Sequence, residues 1–210
     1  MAHTGAGLRL VRGRPLLLAM FAIAALFAFH SEGIDHLWQL HFVENVTLPA
    51  ISGLKPVVWF GIIGIGASLL SLALNEVVRR RVNVLEHTSV ARALRLVYVV
   101  IGLSVVVFGL SSSFVLALVA YWLVAALHSV AQPISRAWLN QNVESSIRAT
   151  MFSLNSQVHS FGEIAAGVPM GLVGKLFSVR TAIVVSGAVL GLTLALFAYV
   201  LRREPVGLEE

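Results

Sequence analysis

Six long apolar stretches joined by short polar segments are the feature that most constrains this chain. They occupy residues 15–37, 57–78, 93–110, 114–136, 149–176 and 179–201. A helix rises 1.5 Å per residue, so about 20 apolar residues cross the roughly 30 Å hydrocarbon core of a bilayer. Charged residues are 12% of the chain and the mean hydropathy is +0.87, whereas about a quarter of the residues in soluble domains are charged. The sequence therefore predicts an all-α membrane protein with six transmembrane helices.

The basic residues predict how these helices are oriented. Twelve of the 15 Lys and Arg residues fall on one side of six alternating spans, and Lys55, Lys175 and Arg180 fall on the other. Cytoplasmic loops carry the excess of Lys and Arg. We therefore predict a multi-pass protein of the cell membrane, with a six-helix domain at residues 15–201 and cytoplasmic tails at 1–14 and 202–210. The basic and apolar beginning also resembles a secretion signal, but the five spans that follow favour a retained first helix.

Several classes of chemistry are not indicated by the sequence. Cysteine is absent, which excludes disulfides, thiolate metal sites and a cysteine nucleophile. Neither HExxH nor GxSxG occurs, so metalloprotease and serine-hydrolase chemistry are not predicted. The net charge of +5 comes from short basic clusters between apolar stretches, which is typical of topology signals. We expect a protein that is not an enzyme and that has no cofactor, no metal and no nucleic acid partner.

The fifth stretch carries polar residues at membrane depth. Counting from Arg148 at 1.5 Å per residue places Asn155 about 10 Å deep, His159 about 16 Å and Glu163 about 22 Å. The three share one helical face. Ionisable groups in a membrane are costly unless they face a cavity or a partner. This face is therefore predicted to line a substrate or proton pathway, or else a helix interface.

His159 and Glu163 are four residues apart and can pair on one helix face. Histidine titrates near physiological pH, so a coupled pair near mid-membrane suits a proton relay. The same pair can instead join this helix to a neighbour. The sequence leaves both interpretations open.

The fourth stretch adds two polar residues to the predicted pathway. His128 and Gln132 lie about 12 and 6 Å from Arg136 by helical rise, and Pro133 follows directly. The depth of His128 is close to that of His159. A histidine that only packs inside the bundle is the alternative.

A polar cluster marks the far end of the first stretch. By helical rise, His30, Glu32, Asp35 and His36 lie about 24 to 33 Å from Arg14, near the outer interface. We predict that Glu32, Asp35 and His36 form an outer gate or mouth. A solvated helix end and a metal site are the alternatives.

Small residues allow helices to approach closely in lipid. Gly61, Gly64 and Ser68 in the second stretch, and Gly167 and Gly171 in the fifth, are predicted contact or bending points.

Three segments carry a resemblance to a known family. Residues 138–190 contain Arg-Ala-Thr at 148–150 followed by a Gly-rich helix, residues 31–42 read SEGIDHLWQLHF, and residues 75–81 read NEVVRRR. In these segments the chain resembles the C-terminal half of a major facilitator superfamily transporter, especially the bacterial drug-exporter-like members. The resemblance assigns Glu76, Arg79 and Arg80 to a cytoplasmic loop, within a long charged connection at residues 75–92. The glycine that this loop motif normally contains is absent here.

The resemblance implies a fold of two inverted three-helix repeats and a permease that moves a small organic solute, with protons coupled to export. Six helices form half of the usual alternating-access interface, so the resemblance also implies a second six-helix half or a homodimer as a partner within the lipid bilayer. The alternative is a non-transporting remnant or assembly partner that needs a second half.

Overall fold

The computed structural model describes residues 13–49, 56–81 and 87–202. Seven helices and no strand occur in these ranges. Their bounds are α1 Pro15–Asn45, α2 Pro56–Arg81, α3 His87–Leu110, α4 Phe114–Gln141, α5 Arg148–Leu176, α6 Val179–Gly191 and α7 Thr193–Arg202. Most of both predicted tails, residues 1–12 and 203–210, lies outside the described residues, and so does Lys55.

In the part of the chain that the structure describes, five spans are long and apolar enough to cross a membrane, judged by length and composition. They comprise α1 to α4 and the continuous segment Val179–Arg202, which contains both α6 and α7. The prediction that residues 149–176 form a helix is confirmed, but α5 is not among these apolar spans. Its polar side chains lower its hydropathy, so α5 differs from its neighbours in composition and not in length.

Two of the predicted helix boundaries are wrong. The first helix was placed at residues 15–37, whereas α1 continues to Asn45 because apolar burial resumes beyond the polar cluster, with Phe42 fully buried. The predicted long connection at residues 75–92 is mostly helical, since α2 ends at Arg81 and α3 begins at His87. Ion pairs from Glu76 to Arg79 and Arg80 stabilise this last part of α2.

The helices pack around α1, which is the most buried of the apolar spans. It packs mainly against α5 and α6, while α3 packs against α4 and α6, and α2 packs mainly against α4. The core is rich in large side chains such as Phe27, Phe108, Trp138 and Phe197, which are at most 4% exposed. By their main contacts the helices follow one another in the order α2, α4, α3, α6, α1 and α5. The helices α2 and α5 therefore lie at the two ends of this order, and each has a broad exposed face.

Gly162 sets the close approach of α5 to α1. A Cβ atom at this position would lie 2.6 Å from the carbonyl oxygen of Ala25, so a larger residue requires the helices to move apart. The glycines predicted as contacts do not have this role within the chain. Among the described residues, no atom lies within 4 Å of a Cβ built at Gly61, Gly64 or Gly171, because these positions point away from the packed side of their helices.

The other two predicted contact points behave similarly. Ser68 is exposed and its hydroxyl donates to the carbonyl of Gly64 on its own helix. The Cβ position of Gly167 lies 3.6 Å from a carboxylate oxygen of Glu32, which is ordinary contact. Neither residue marks a close helix crossing.

Polar contacts tie the helix ends together at both faces of the bundle. At one face Arg14 donates to Glu144, in the segment between α4 and α5, at 2.6 Å. At the opposite face Arg180 donates to the side-chain and backbone oxygens of Asn45 and to the Ser112 hydroxyl, at 2.8–3.0 Å. Successive spans therefore run in opposite directions. Which face is cytoplasmic stays a prediction.

Candidate functional site: a polar layer inside the bundle

Two histidines meet in the middle of the bundle. The Nε2 atoms of His30 on α1 and His128 on α4 are 3.2 Å apart, and Nδ1 of His30 lies 3.1 Å from the backbone oxygen of Ser186 on α6. His30 is fully buried, and its ring also contacts that of Phe27. A polar contact thus joins three helices at one level.

The position of His30 differs from the prediction. It was placed with the outer polar cluster because α1 was expected to end at residue 37. In the longer helix, His30 lies midway between Pro15 and Asn45. His30 therefore lies at a depth similar to the depth that was expected for His128 and His159.

A second polar contact joins α4 to α5. Nε2 of Gln132 lies 3.5 Å from Nε2 of His159, and Nδ1 of His159 lies 3.3 Å from a carboxylate oxygen of Glu163. The predicted pairing of His159 with Glu163 is present. The two side chains are 24% and 43% exposed within this chain, so the pair lies at the edge of the bundle. We call His30, His128, Gln132, His159 and Glu163 the polar layer.

The predicted face of α5 is divided between packing and exposure. Gly162 and Ala166 are buried against the rest of the bundle, and Asn155 and His159 are half-buried. This face of α5 therefore follows the edge of the interface between α5 and α1, with one side packed and the other side exposed. The helix-interface interpretation describes the packed part of this face, and the lined pathway stays a prediction.

The predicted outer gate lies about half a turn to two turns beyond His30 on α1. His36 and Glu32 form an i,i+4 pair at 3.2 Å, and the His36 side chain is 73% exposed. Asp35 is exposed and lies within electrostatic range of Glu32 and of Glu163 on α5. These groups border the polar layer on the side toward Asn45. Among the described residues, no group of three or more His, Asp or Glu side chains is arranged to hold a metal ion.

The prediction that Glu76, Arg79 and Arg80 lie in a loop is wrong. All three lie in α2, and Glu76 accepts hydrogen bonds from Arg79 and Arg80 at 2.6–2.9 Å. The pairs form because i,i+3 and i,i+4 positions share one helix surface. These contacts stay within one helix end.

Three contacts in the structure involve residues that were not predicted to matter. Ser186 provides the backbone oxygen that faces His30, Asn75 donates to the Ser129 hydroxyl across α2 and α4 at 2.8 Å, and Arg180 joins three helix ends. Every residue has a backbone oxygen, so the sequence does not indicate which one faces a polar side chain. The isolated Arg180 at the start of an apolar span was a usable signal, but it was treated only as a topology marker.

This arrangement of helices occurs in a solved transporter. The chain matches the crystal structure of the POT family transporter PepTSo over 93% of its length, with a TM-score of 0.65 and 15% sequence identity. The chain shares part of the fold of this protein. It covers 39% of the PepTSo chain, and at this identity the likeness concerns the fold alone. No family model and no curated protein sequence matches the chain.

Proposed function

We propose that this chain is a six-helix half of a secondary transporter of the major facilitator type, corresponding to the C-terminal half. It moves a small organic solute across the cell membrane by alternating access, as a permease that couples efflux to protons. A second six-helix half or a second copy of the chain completes the pathway. The observation that supports this proposal best is the polar layer, which extends from the His30–His128 contact in the interior to the His159–Glu163 pair at the edge of a largely apolar bundle with a transporter-like fold.

The chemistry of the polar layer suits proton coupling. An ionisable group inside a membrane is costly unless it has a function or a partner, and the layer contains three histidines and Glu163. His159 and Glu163 are paired yet partly exposed, so water and protons from a cavity have access to them. Glu32, Asp35 and His36 border the layer and serve as the gate on the outer side.

The exposed surface of α5 supports a partner in the bilayer. Ser153, Ser156, Gln157 and Ser160 are all exposed within this chain. Lipid tails offer these polar groups no hydrogen bonds, whereas a second helical domain does. A Cβ atom built at Gly61 or Gly64 on α2 meets no atom of the described residues within 4 Å, and small residues are enriched where membrane helices pack.

Exchange of Glu163 for Gln tests the proton coupling. We expect Glu163→Gln to abolish solute-dependent proton movement, because the amide keeps the shape of the side chain but does not ionise. Membrane vesicles that contain the chain are energised with a pH gradient, and the quenching of a ΔpH-sensitive dye is followed as a panel of small organic solutes is added.

The matched control is Glu44→Gln, which changes an exposed glutamate near the end of α1. This variant should behave as the wild type. Undiminished proton movement in Glu163→Gln, at an equal amount of inserted protein, contradicts the coupling.

The second candidate is a non-transporting assembly partner, and the exposed faces of α2 and α5 are compatible with it. The mass of the chain in nanodiscs distinguishes the two. A dimer or a co-purifying six-helix chain supports a complete pathway. A strict monomer that moves no solute and no protons supports the assembly partner.

A further inference from the structure

The His30–His128 contact fixes where the protons of both rings lie. The backbone oxygen of Ser186 can only accept, so Nδ1 of His30 carries a hydrogen and donates it. In the neutral ring, Nε2 of His30 is then an acceptor. Nε2 of His128, 3.2 Å away, must therefore carry the hydrogen of the bond between the two rings.

The same logic shows what happens when one more proton arrives. Nδ1 of His128 is then the nitrogen that can accept it, since the other three nitrogens are already committed. The hydrogen between the rings can move from His128 to His30, which places the positive charge on His30 while the N–H···N bond is kept. A second added proton would put two N–H groups face to face, so the rings would have to separate.

We propose that His30 and His128 form a single proton-binding site, in which one added proton is shared by the two rings and held between α1 and α4. The site lies in the interior of the bundle, and it rests on the proposed function only for the use made of the proton. It provides a proton store that is distinct from the His159–Glu163 pair. It also joins α1, α4 and, through Ser186, α6 in the singly protonated state.

The surroundings of the pair make it a site for one proton. On α3 the nearest titratable group is Tyr98, whose ring stacks on Phe27 at 4.8 Å, and Phe27 in turn contacts His128 at 5.0 Å. On α5, His159 and Glu163 reach α4 through Gln132, one turn from His128. On α1, Glu32 and Asp35 follow His30 along the helix. No described charged side chain contacts the two rings directly, so the pair has no ionic partner to hold a second proton.

Nitrogen NMR of the full chain in nanodiscs, with ¹⁵N-labelled histidine, tests the proposal. At neutral pH we expect His30 to be protonated at Nδ1 and His128 at Nε2, with a through-bond coupling across the N–H···N contact. On acidification the signals of both rings should change in one common step that corresponds to one proton per chain. The signals are assigned with His30→Gln and His128→Gln.

The control is His36→Gln, which removes an exposed histidine from the same helix and should leave the coupled signals unchanged. The proposal is overturned if both rings carry the hydrogen on the same nitrogen, if no coupling crosses the contact, or if the rings titrate in independent steps. The wild-type coupling needs no variant, so the test holds even where a substitution prevents folding. It also holds whether or not the chain transports a solute, and loss of transport in Glu163→Gln does not affect it.

Discussion

At the scale of single residues, Arg180 shows how one side chain can fasten several helix ends. The last carbonyl groups of a helix have no partner within that helix. Arg180 donates to the backbone oxygen of Asn45 at the end of α1, at 3.0 Å, and to the hydroxyl of Ser112 after α3, at 2.8 Å. Its planar guanidinium presents these donors in a fixed geometry, so one residue at the start of α6 positions the ends of α1 and α3.

Exchange of Arg180 for Lys should destabilise the bundle. Lysine keeps the charge but lacks the forked donors, and each hydrogen bond from a charged group contributes about 1.5–3 kcal/mol. We expect Arg180→Lys to lower the free energy of unfolding by about 1 kcal/mol, which is below that range because the site is partly exposed. Unfolding in mixed micelles by added SDS measures the difference. Lys175→Arg, at an exposed position near the same face, is the control and should have no effect.

The residues of the polar layer also show which contacts a sequence can predict. His159 and Glu163 are four positions apart on one helix, so their pairing follows from helical geometry alone. His30 and His128 are separated by 98 positions, and their contact depends on how α1 and α4 cross. Periodicity places each histidine on a helix, but no local rule relates the two helices to each other.

At the scale of helices, the close crossing of α1 and α5 depends on Gly162, which has no side chain. Gly162→Ala introduces a Cβ atom 2.6 Å from the backbone oxygen of Ala25, and overpacking of this kind typically costs about 1–3 kcal/mol. This cost exceeds the gain of up to about 1 kcal/mol that alanine brings to a helix. We expect a net loss of stability in the same SDS titration.

The matched exchange on the same helix is Gly171→Ala. No atom lies within 4 Å of the added Cβ, so the chain should be as stable as the wild type or slightly more stable. Equal effects at both glycines would argue against a close crossing at Gly162.

Helix identity was predictable from the apolar stretches, but helix ends were not. A transmembrane stretch ends in the sequence where polar residues begin, and by that rule α1 ends at residue 37. The helix continues because burial goes on past the polar groups: Ile34 is buried on the face opposite Glu32 and His36, and Phe42 is buried farther along the helix. A hydropathy pattern averaged over all faces of a helix does not show that polar residues and buried apolar residues lie side by side along it.

At the scale of the whole molecule, the exposed faces of α2 and α5 lead to a prediction about assembly. The chain contains no cysteine, so single cysteines can report on contacts without background. If a second copy completes the pathway, Ser68→Cys on α2 or Ser160→Cys on α5 should cross-link two chains in native membranes. A bismaleimide reagent and gel electrophoresis provide the measurement.

Leu103→Cys is the matched control, because Leu103 is 63% exposed on α3 and lies on neither of these two helices. It should give no cross-linked dimer. Cross-linking from Leu103 alone would place the contact elsewhere, and its absence at all three positions would favour a different chain as the second half.

The polarity of α5 has a consequence for how the protein is made. A helix enters the bilayer from the ribosomal channel on the strength of its own apolar side chains, and polar residues near its centre oppose entry. Because α5 carries His159 and Glu163 and packs mainly on α1, its insertion depends on a helix that was synthesised more than a hundred residues earlier. The helix α1 must therefore remain in the membrane, with its packing surface for α5 uncovered, until α5 has been synthesised.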